Sequence, residues 1–271
     1  MTSPTDPETE AEALLALAHR MADAAGAAAL RHFRSPGLAT DDKSDGADFD
    51  PVTAGDREAE AAMRALLAKE RPDDGILGEE EGRTESRSGL TWVLDPIDGT
   101  RAFIAGLPTW GVLIALDDGA SGRIGIVDQP HIGERYAGTT LGGARASYRC
   151  RGEERPMGVR ACAGLADAML FTTAPELFEG GDRDKFEAVR ARARLTRYGT
   201  DCYAYALVAA GHVDLVIESG LAAYDIAGPA ALIQAAGGVV TDWQGGDARW
   251  GGRVVAAGDP RVHAEALALL A

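Results

Sequence analysis

The stretch Trp92-Val93-Leu94-Asp95-Pro96-Ile97-Asp98-Gly99-Thr100 decides the reading of this chain. Three apolar residues form a short buried strand that delivers one carboxylate, Asp95. Pro96 fixes the next turn, a second carboxylate follows at Asp98, and Gly99-Thr100 opens a helix beginning Arg101-Ala102-Phe103. Two carboxylates three residues apart around a rigid turn can converge on hard cations, and backbone N–H groups at a helix start can receive a phosphate. Read alone, the same corner also fits two aspartates that only cap a helix.

Outward from this corner the chain alternates in type. Leu14, Leu17, Met21, Ala25 and Leu30 lie at helical spacing over residues 8–34, and a second helix is expected over 56–70 with Asp56 at its start. Residues 1–10 read as a loose tail, and 41–50 as an exposed acidic loop. Strands are expected at 76–77, 91–94, 110–116 and 124–127. The charged, turn-rich stretch 149–160 is the expected lobe boundary. Beyond it strands (168–172, 195–198, 213–217, 238–241, 253–256) alternate with helices (183–193, 202–211, 226–236, 260–270). That alternation predicts a layered α/β architecture.

Composition narrows the partners. The 271 residues carry 27 basic against 42 acidic side chains, a formal charge of −15. A basic stripe for nucleic acid, or a polybasic membrane-binding surface, is not expected. The 46% apolar content can build a core. No apolar run is expected to span a bilayer, and MTSPTDPETE lacks the basic and apolar regions of a secretory signal. Three cysteines, Cys150, Cys162 and Cys202, with no CxxC fit a reducing, cytoplasmic setting.

The 92–100 segment resembles the first motif of the inositol monophosphatase superfamily, W-x-[LIV]-D-P-[IL]-D-G-T. Three further segments are similar to that family in the same order: Val52-Thr53-Ala54-Gly55-Asp56, Gly78-Glu79-Glu80 and Tyr224-Asp225-Ile226-Ala227-Gly228, the last followed by Ala235-Ala236-Gly237-Gly238. The resemblance implies an αβαβα sandwich with an N-terminal α+β lobe (1–148) and a C-terminal α/β lobe (149–271). It implies two to three Mg²⁺ ions, with Mn²⁺ a substitute. Glu79, Asp95 and the Ile97 carbonyl would hold the first, and Asp95, Asp98 and Asp225 the second. A weaker third would lie near Glu79, with Glu80 and Asp56 in support. Thr100 and Asp56 would orient the attacking water, and Gly99 and Thr100 would hold the phosphate. Homodimers are usual in such a family. Lys43 reads either as the family's loop lysine or as a surface lysine.

The branch is read from other segments. Arg101-Ala102-Phe103 and Gly106-Leu107-Pro108-Thr109-Trp110-Gly111 resemble the histidinol-phosphate phosphatases. So do Val127-Asp128-Gln129-Pro130, Glu134-Arg135, Arg197–Tyr205 and Gly211–Leu215, which are expected around the substrate face. Histidinol phosphate joins a phosphate to a cationic tail. Metals suit the first end, while Glu218 and Asp225 suit the tail, with Arg197 on the substrate side. Asp201 reads as a tail contact or as the N-cap of a helix at Cys202. Trp110 reads as core or as a flank for the imidazole, and Arg101 as phosphate-assisting or exposed. An inositol monophosphatase, a sugar or adenosine-bisphosphate phosphatase, and a non-catalytic regulator that binds metal or phosphate are the alternatives.

Overall fold

In a computed structural model the described residues are 7–43 and 51–271. The expected tail therefore lies outside them up to Asp6, and the expected 41–50 loop from Ser44 onward. The chain opens with α1 (Pro7–Leu30). The strand β1 (Thr40–Asp42) pairs antiparallel with β2 (Pro51–Thr53), which runs into α2 (Ala54–Glu70). Then come β3 (Gly75–Gly78), β4 (Gly82–Thr84), β5 (Thr91–Asp98), the short α3 (Thr100–Ile104), β6 (Gly111–Asp117), β7 (Gly122–Gln129), β8 (Glu134–Thr139), β9 (Arg145–Cys150) and β10 (Glu153–Pro156). Eight of these strands form one sheet in the order β10-β9-β8-β7-β6-β5-β3-β4, antiparallel except for the β3–β5 pair.

The second part contributes β11 (Met169–Thr172), α4 (Gly181–Arg190), β12 (Leu195–Tyr198), α5 (Asp201–Ala209), β13 (Leu215–Leu221), α6 (Ala223–Ala235), β14 (Val239–Asp242), β15 (Gly252–Ala257) and α7 (Pro260–Leu270). Its five-stranded sheet runs β12-β11-β13-β15-β14, parallel at the β11 pairs and antiparallel at β15.

Side-chain alternation explains the layers. In β6, Val112, Ile114 and Leu116 face a core with Leu17, Met21 and Met63 of α1 and α2, while Leu113 faces α5 and α6. In the second sheet Val216, Val254 and Ala256 face α5 and α6, while Leu215, Ile217 and Val255 face Phe186 of α4 and Val262 of α7. Every β6 residue is buried, as a strand covered on both faces requires. The result is helix pair, sheet, helix pair, sheet, helix pair: the expected αβαβα sandwich.

Three expectations need correction. The stretch 149–160 is not a break: β9 and β10 extend the first sheet to Pro156, so a boundary at 148/149 falls inside β9. The helix α6 belongs by sequence to the second lobe yet packs on β5 through β8 of the first sheet. Its backbone approaches so closely that a Cβ at Gly125 would strike the Gly228 carbonyl, and one at Gly138 would lie 2.8 Å from the Ala235 Cβ. Finally, α1 is long and apolar enough to cross a membrane by length and composition, although half of that span is buried against the first sheet and α2.

Candidate active site

The decisive local feature is a β-bulge. Asp95 pairs with Leu113 of β6 and Asp98 pairs with Gly111, so β5 carries one extra residue between them. In an unbroken strand, side chains three residues apart point to opposite faces. The extra residue, placed where Pro96 offers no N–H, restores both carboxylates to one side. Asp95 Oδ1 then accepts from Ile97 N at 3.0 Å, and the Thr100 hydroxyl donates to the Ile97 carbonyl at 3.1 Å. Gly99, at φ +79°, lets the chain turn from strand into α3.

A third carboxylate comes from α6. Asp225, in its first turn, accepts from Ala222 N at 2.7 Å. One carboxylate oxygen from each of Asp95, Asp98 and Asp225 lies within 4.8 Å of the others, a group able to hold a metal ion. Burial, with Glu79, Asp98 and Asp225 nearby, pushes the Asp95 carboxyl well up. Burial, then Asp201 and Asp225, does the same to Asp98. Clustered buried carboxylates can relieve this by protonation or by a cation. Oxygen donors of this kind suit Mg²⁺ or Mn²⁺.

Glu79 and Glu80 stand on the turn after β3. Burial raises the Glu79 carboxyl to about 7 against the opposing pull of Lys43. The Lys43 ammonium donates to Glu79 at 2.9 Å and to Glu80 at 2.8 Å, so the lysine is tied to the site and is not a free surface charge. Asp56 sits at the third position of α2, which starts two residues earlier than expected. Its Oδ2 accepts from Thr53 N and Thr53 Oγ1, at 2.8 and 2.6 Å. Its Oδ1 is buried with no partner among the described residues. An orphaned buried carboxylate oxygen costs folding energy and fits a site built for a cation or a water.

Sequence reasoning missed two residues. Glu60 is fully buried and accepts Glu80 N at 2.7 Å and Glu81 N at 3.0 Å, which fixes the Glu79-Glu80 turn. A carboxylate four residues after Asp56, between Ala59 and Met63 on the core face of α2, was its signal. Tyr205 is buried with an unpartnered hydroxyl, and Glu218, Asp98 and Asp225 all act on it. Its apolar flanks on α5 hid it.

On the second lobe, Glu218 is 1% exposed. It accepts from Thr172 Oγ1, Thr173 N and Thr173 Oγ1 at 3.1, 2.7 and 3.0 Å, and burial raises it to about 7. Asp201 is not an N-cap. It lies inside α5 at φ +43°, beside Gly99, where a Cβ on the glycine would sit 3.1 Å from it. Asp98 takes the capping role from across the chain, accepting Cys202 N at 2.8 Å. Trp110 is core, packed 5.3 Å from Phe33 and 5.0 Å from Phe103. Arg197 is exposed on the edge strand β12.

Two other segments brace the first sheet against its helices. Arg135 binds Asp128 and Asp23 at 2.6 and 2.7 Å, tying β8 to α1. Glu134 accepts the hydroxyls of Tyr136, Tyr148 and Tyr203, tying β8 to α5.

A layered sandwich with a carboxylate cluster at a strand–helix corner between two sheets defines a class of metal-dependent phosphatase. The sequence profile of the inositol monophosphatase family matches residues 10–271, and the chain belongs to that family. It is a phosphoric monoester hydrolase. It is 40% identical to the bifunctional phosphatase IMPL2, chloroplastic, of Arabidopsis thaliana, over 96% of this chain and 75% of that protein. It is 34% identical to a histidinol-phosphatase of Chlorobaculum parvum, over 85% of this chain and 86% of the relative. Among solved structures, an inositol monophosphatase from Zymomonas mobilis superposes with a TM-score of 0.82 at 43% identity, covering 96% and 98% of the two chains.

Proposed function

We propose that the protein is a Mg²⁺-dependent histidinol-phosphate phosphatase. Glu79, Asp95, the Ile97 carbonyl, Asp98 and Asp225 would hold the metal, with Glu80 and Asp56 in support. Bound there, Mg²⁺ supplies charge neutralisation for the phosphoryl group and lowers the pKa of water. The chain's own groups do the positioning. Gly99 and Thr100 present backbone N–H groups to the phosphate. The free oxygen of Asp56 accepts a proton from the attacking water, and the Thr100 hydroxyl, anchored on Ile97, sets its direction. Hydrolysis of a phosphate monoester asks the protein for little beyond this positioning and electrostatics.

The observation that carries the substrate choice is Asp201. Its left-handed backbone sets a carboxylate against Gly99, on the side where the leaving group would stand, and Glu218 adds a second. Acidic groups there favour a cationic leaving group over a neutral polyol. The resemblance to proteins named histidinol-phosphatase supports the same choice. Arg197 belongs to this proposal as a contact made from the edge strand, either to substrate or across a homodimer. Exposed Leu195 and Tyr198 on that strand support a dimer face.

The test is a substrate panel with Mg²⁺: histidinol phosphate, inositol 1-phosphate and adenosine 3′,5′-bisphosphate, compared by kcat/KM. Histidinol phosphate is expected to lead. Preference for either other ester would refute the assignment.

A further inference from the structure

A cavity of about 680 Å³ adjoins the catalytic corner, and none of the three clustered carboxylates lines it. Arg101, the residue after Thr100, lines one wall. Ser219 and Gly220, directly after Glu218, line another. These residues lie on the bulge of β13, where the pairing shifts between Glu218 and Leu221. The cavity is therefore continuous in sequence with both the phosphate end and the leaving-group end of the site.

Its charges are unevenly matched. Arg253 is spent on Asp182, at 2.6 Å, and lies over the Trp243 ring at 5.7 Å. Asp182 also accepts the Ser219 hydroxyl at 3.4 Å. That pair cancels. Arg101 stands at the phosphate end, where it acts on Asp201. The remaining wall is the segment after β11, with Glu176 and Glu179. Both are exposed, and their carboxylates form no ion pair or hydrogen bond among the described residues. With Arg253 matched by Asp182, the two unmatched acids of this wall outnumber the one other cation, Arg101, which stands at the far, phosphate end, so the wall favours a cation.

We infer that Glu176 and Glu179 are specificity residues that receive the cationic tail of the leaving group. This rests on the proposed substrate and deepens it. Asp201 and Glu218 would meet the part of the leaving group nearest the ester, and Glu176 and Glu179 the far end, an ammonium or imidazolium. The loop that carries them is joined to no metal ligand, so it acts on substrate choice and not on the chemical step.

The experiment compares the wild type with the double variant E176Q/E179Q, full-length and with Mg²⁺, on histidinol phosphate and on glycerol 2-phosphate, which has no cation. The ratio of the two kcat/KM values is the readout. Two partly exposed charge contacts predict a ratio lowered roughly fivefold to tenfold, carried by KM for histidinol phosphate. A wild type that prefers histidinol phosphate and a variant with the same ratio would overturn this inference alone. A parallel loss on both substrates, leaving the ratio fixed, would overturn it equally. A wild type without preference for the cationic ester would overturn the substrate proposal and this inference with it.

Discussion

Replacing Asp98 by Asn separates the two tasks this side chain performs. It is one of three carboxylates with oxygens within 4.8 Å, and it caps α5 at Cys202. Two unit charges at that distance repel by about 3.5 kcal/mol at an effective dielectric near 20. The raised carboxyls of Asp95 and Asp98 mean that protons already relieve much of this in the metal-free protein. The amide removes what remains, worth on the order of 1 kcal/mol, while its carbonyl oxygen still accepts Cys202 N. The metal-free variant should therefore melt about 2 °C above wild type. With Mg²⁺ the order reverses. A ligand at a hundredfold its Kd stabilises by about 2.7 kcal/mol, and the variant should lose most of that gain. Turnover should fall about a thousandfold, the equivalent of the several kcal/mol that a cation lends to the transition state. Differential scanning fluorimetry with and without Mg²⁺, beside a phosphate-release assay, reads both. A variant that melts well below wild type without metal, yet keeps the full Mg²⁺ shift, would show that Asp98 is a cap and not a ligand.

Glu60→Gln leaves one carbonyl to serve the N–H groups of Glu80 and Glu81, so Mg²⁺ affinity, measured by titration calorimetry, should weaken about tenfold or more; unchanged affinity would remove Glu60 from the site's support. Gly125→Ala forces α6 off the first sheet and should destabilise the fold by roughly 2–3 kcal/mol in urea unfolding while displacing Asp225; a neutral effect would contradict the close backbone approach. Glu79 and Glu218, each at about 7 when folded and near 4.5 when unfolded, bind protons more tightly in the native state. Their contribution to stability is complete below about pH 4.5 and is lost as the pH rises through 7. The metal-free protein should accordingly melt higher at pH 5.5 than at pH 8, and Glu218→Gln should flatten that difference.

Much of the site was legible because its carboxylates sit in short contiguous segments. The 92–100 stretch named both aspartates of β5, and the spacing of apolar residues located most helices and buried strands. The bulge that turns Asp95 and Asp98 to one side was not legible, since it is defined by pairing with β6, about fifteen residues onward. The strands β9 and β10 escaped for a different reason. Of the two, Glu153–Pro156 is the edge strand, exposed along its whole length and mostly charged, the pattern that keeps a sheet edge from recruiting another chain, while Arg145–Cys150 beside it is half-buried with only Ala146 fully covered, so neither shows a clear apolar alternation. Locally that pattern cannot be told from a loop. Of the two readings of Asp201, the N-cap fails because the cap of α5 comes from Asp98, more than a hundred residues earlier in the chain.

The backbone contact between α6 and the first sheet divides the molecule along a line different from its sequence halves. Asp225 travels with Asp95 and Asp98 as part of one mechanical body, since Gly228 lies against the Ile114 and Ile126 carbonyls with no side chain between. The proposed leaving-group wall, from Thr173 to Glu179 and from Glu218 to Gly220, hangs on the second sheet. Exchange of that wall alone would therefore give a new substrate range on an unaltered hydrolytic centre, and the fold offers this as a modular route to divergence.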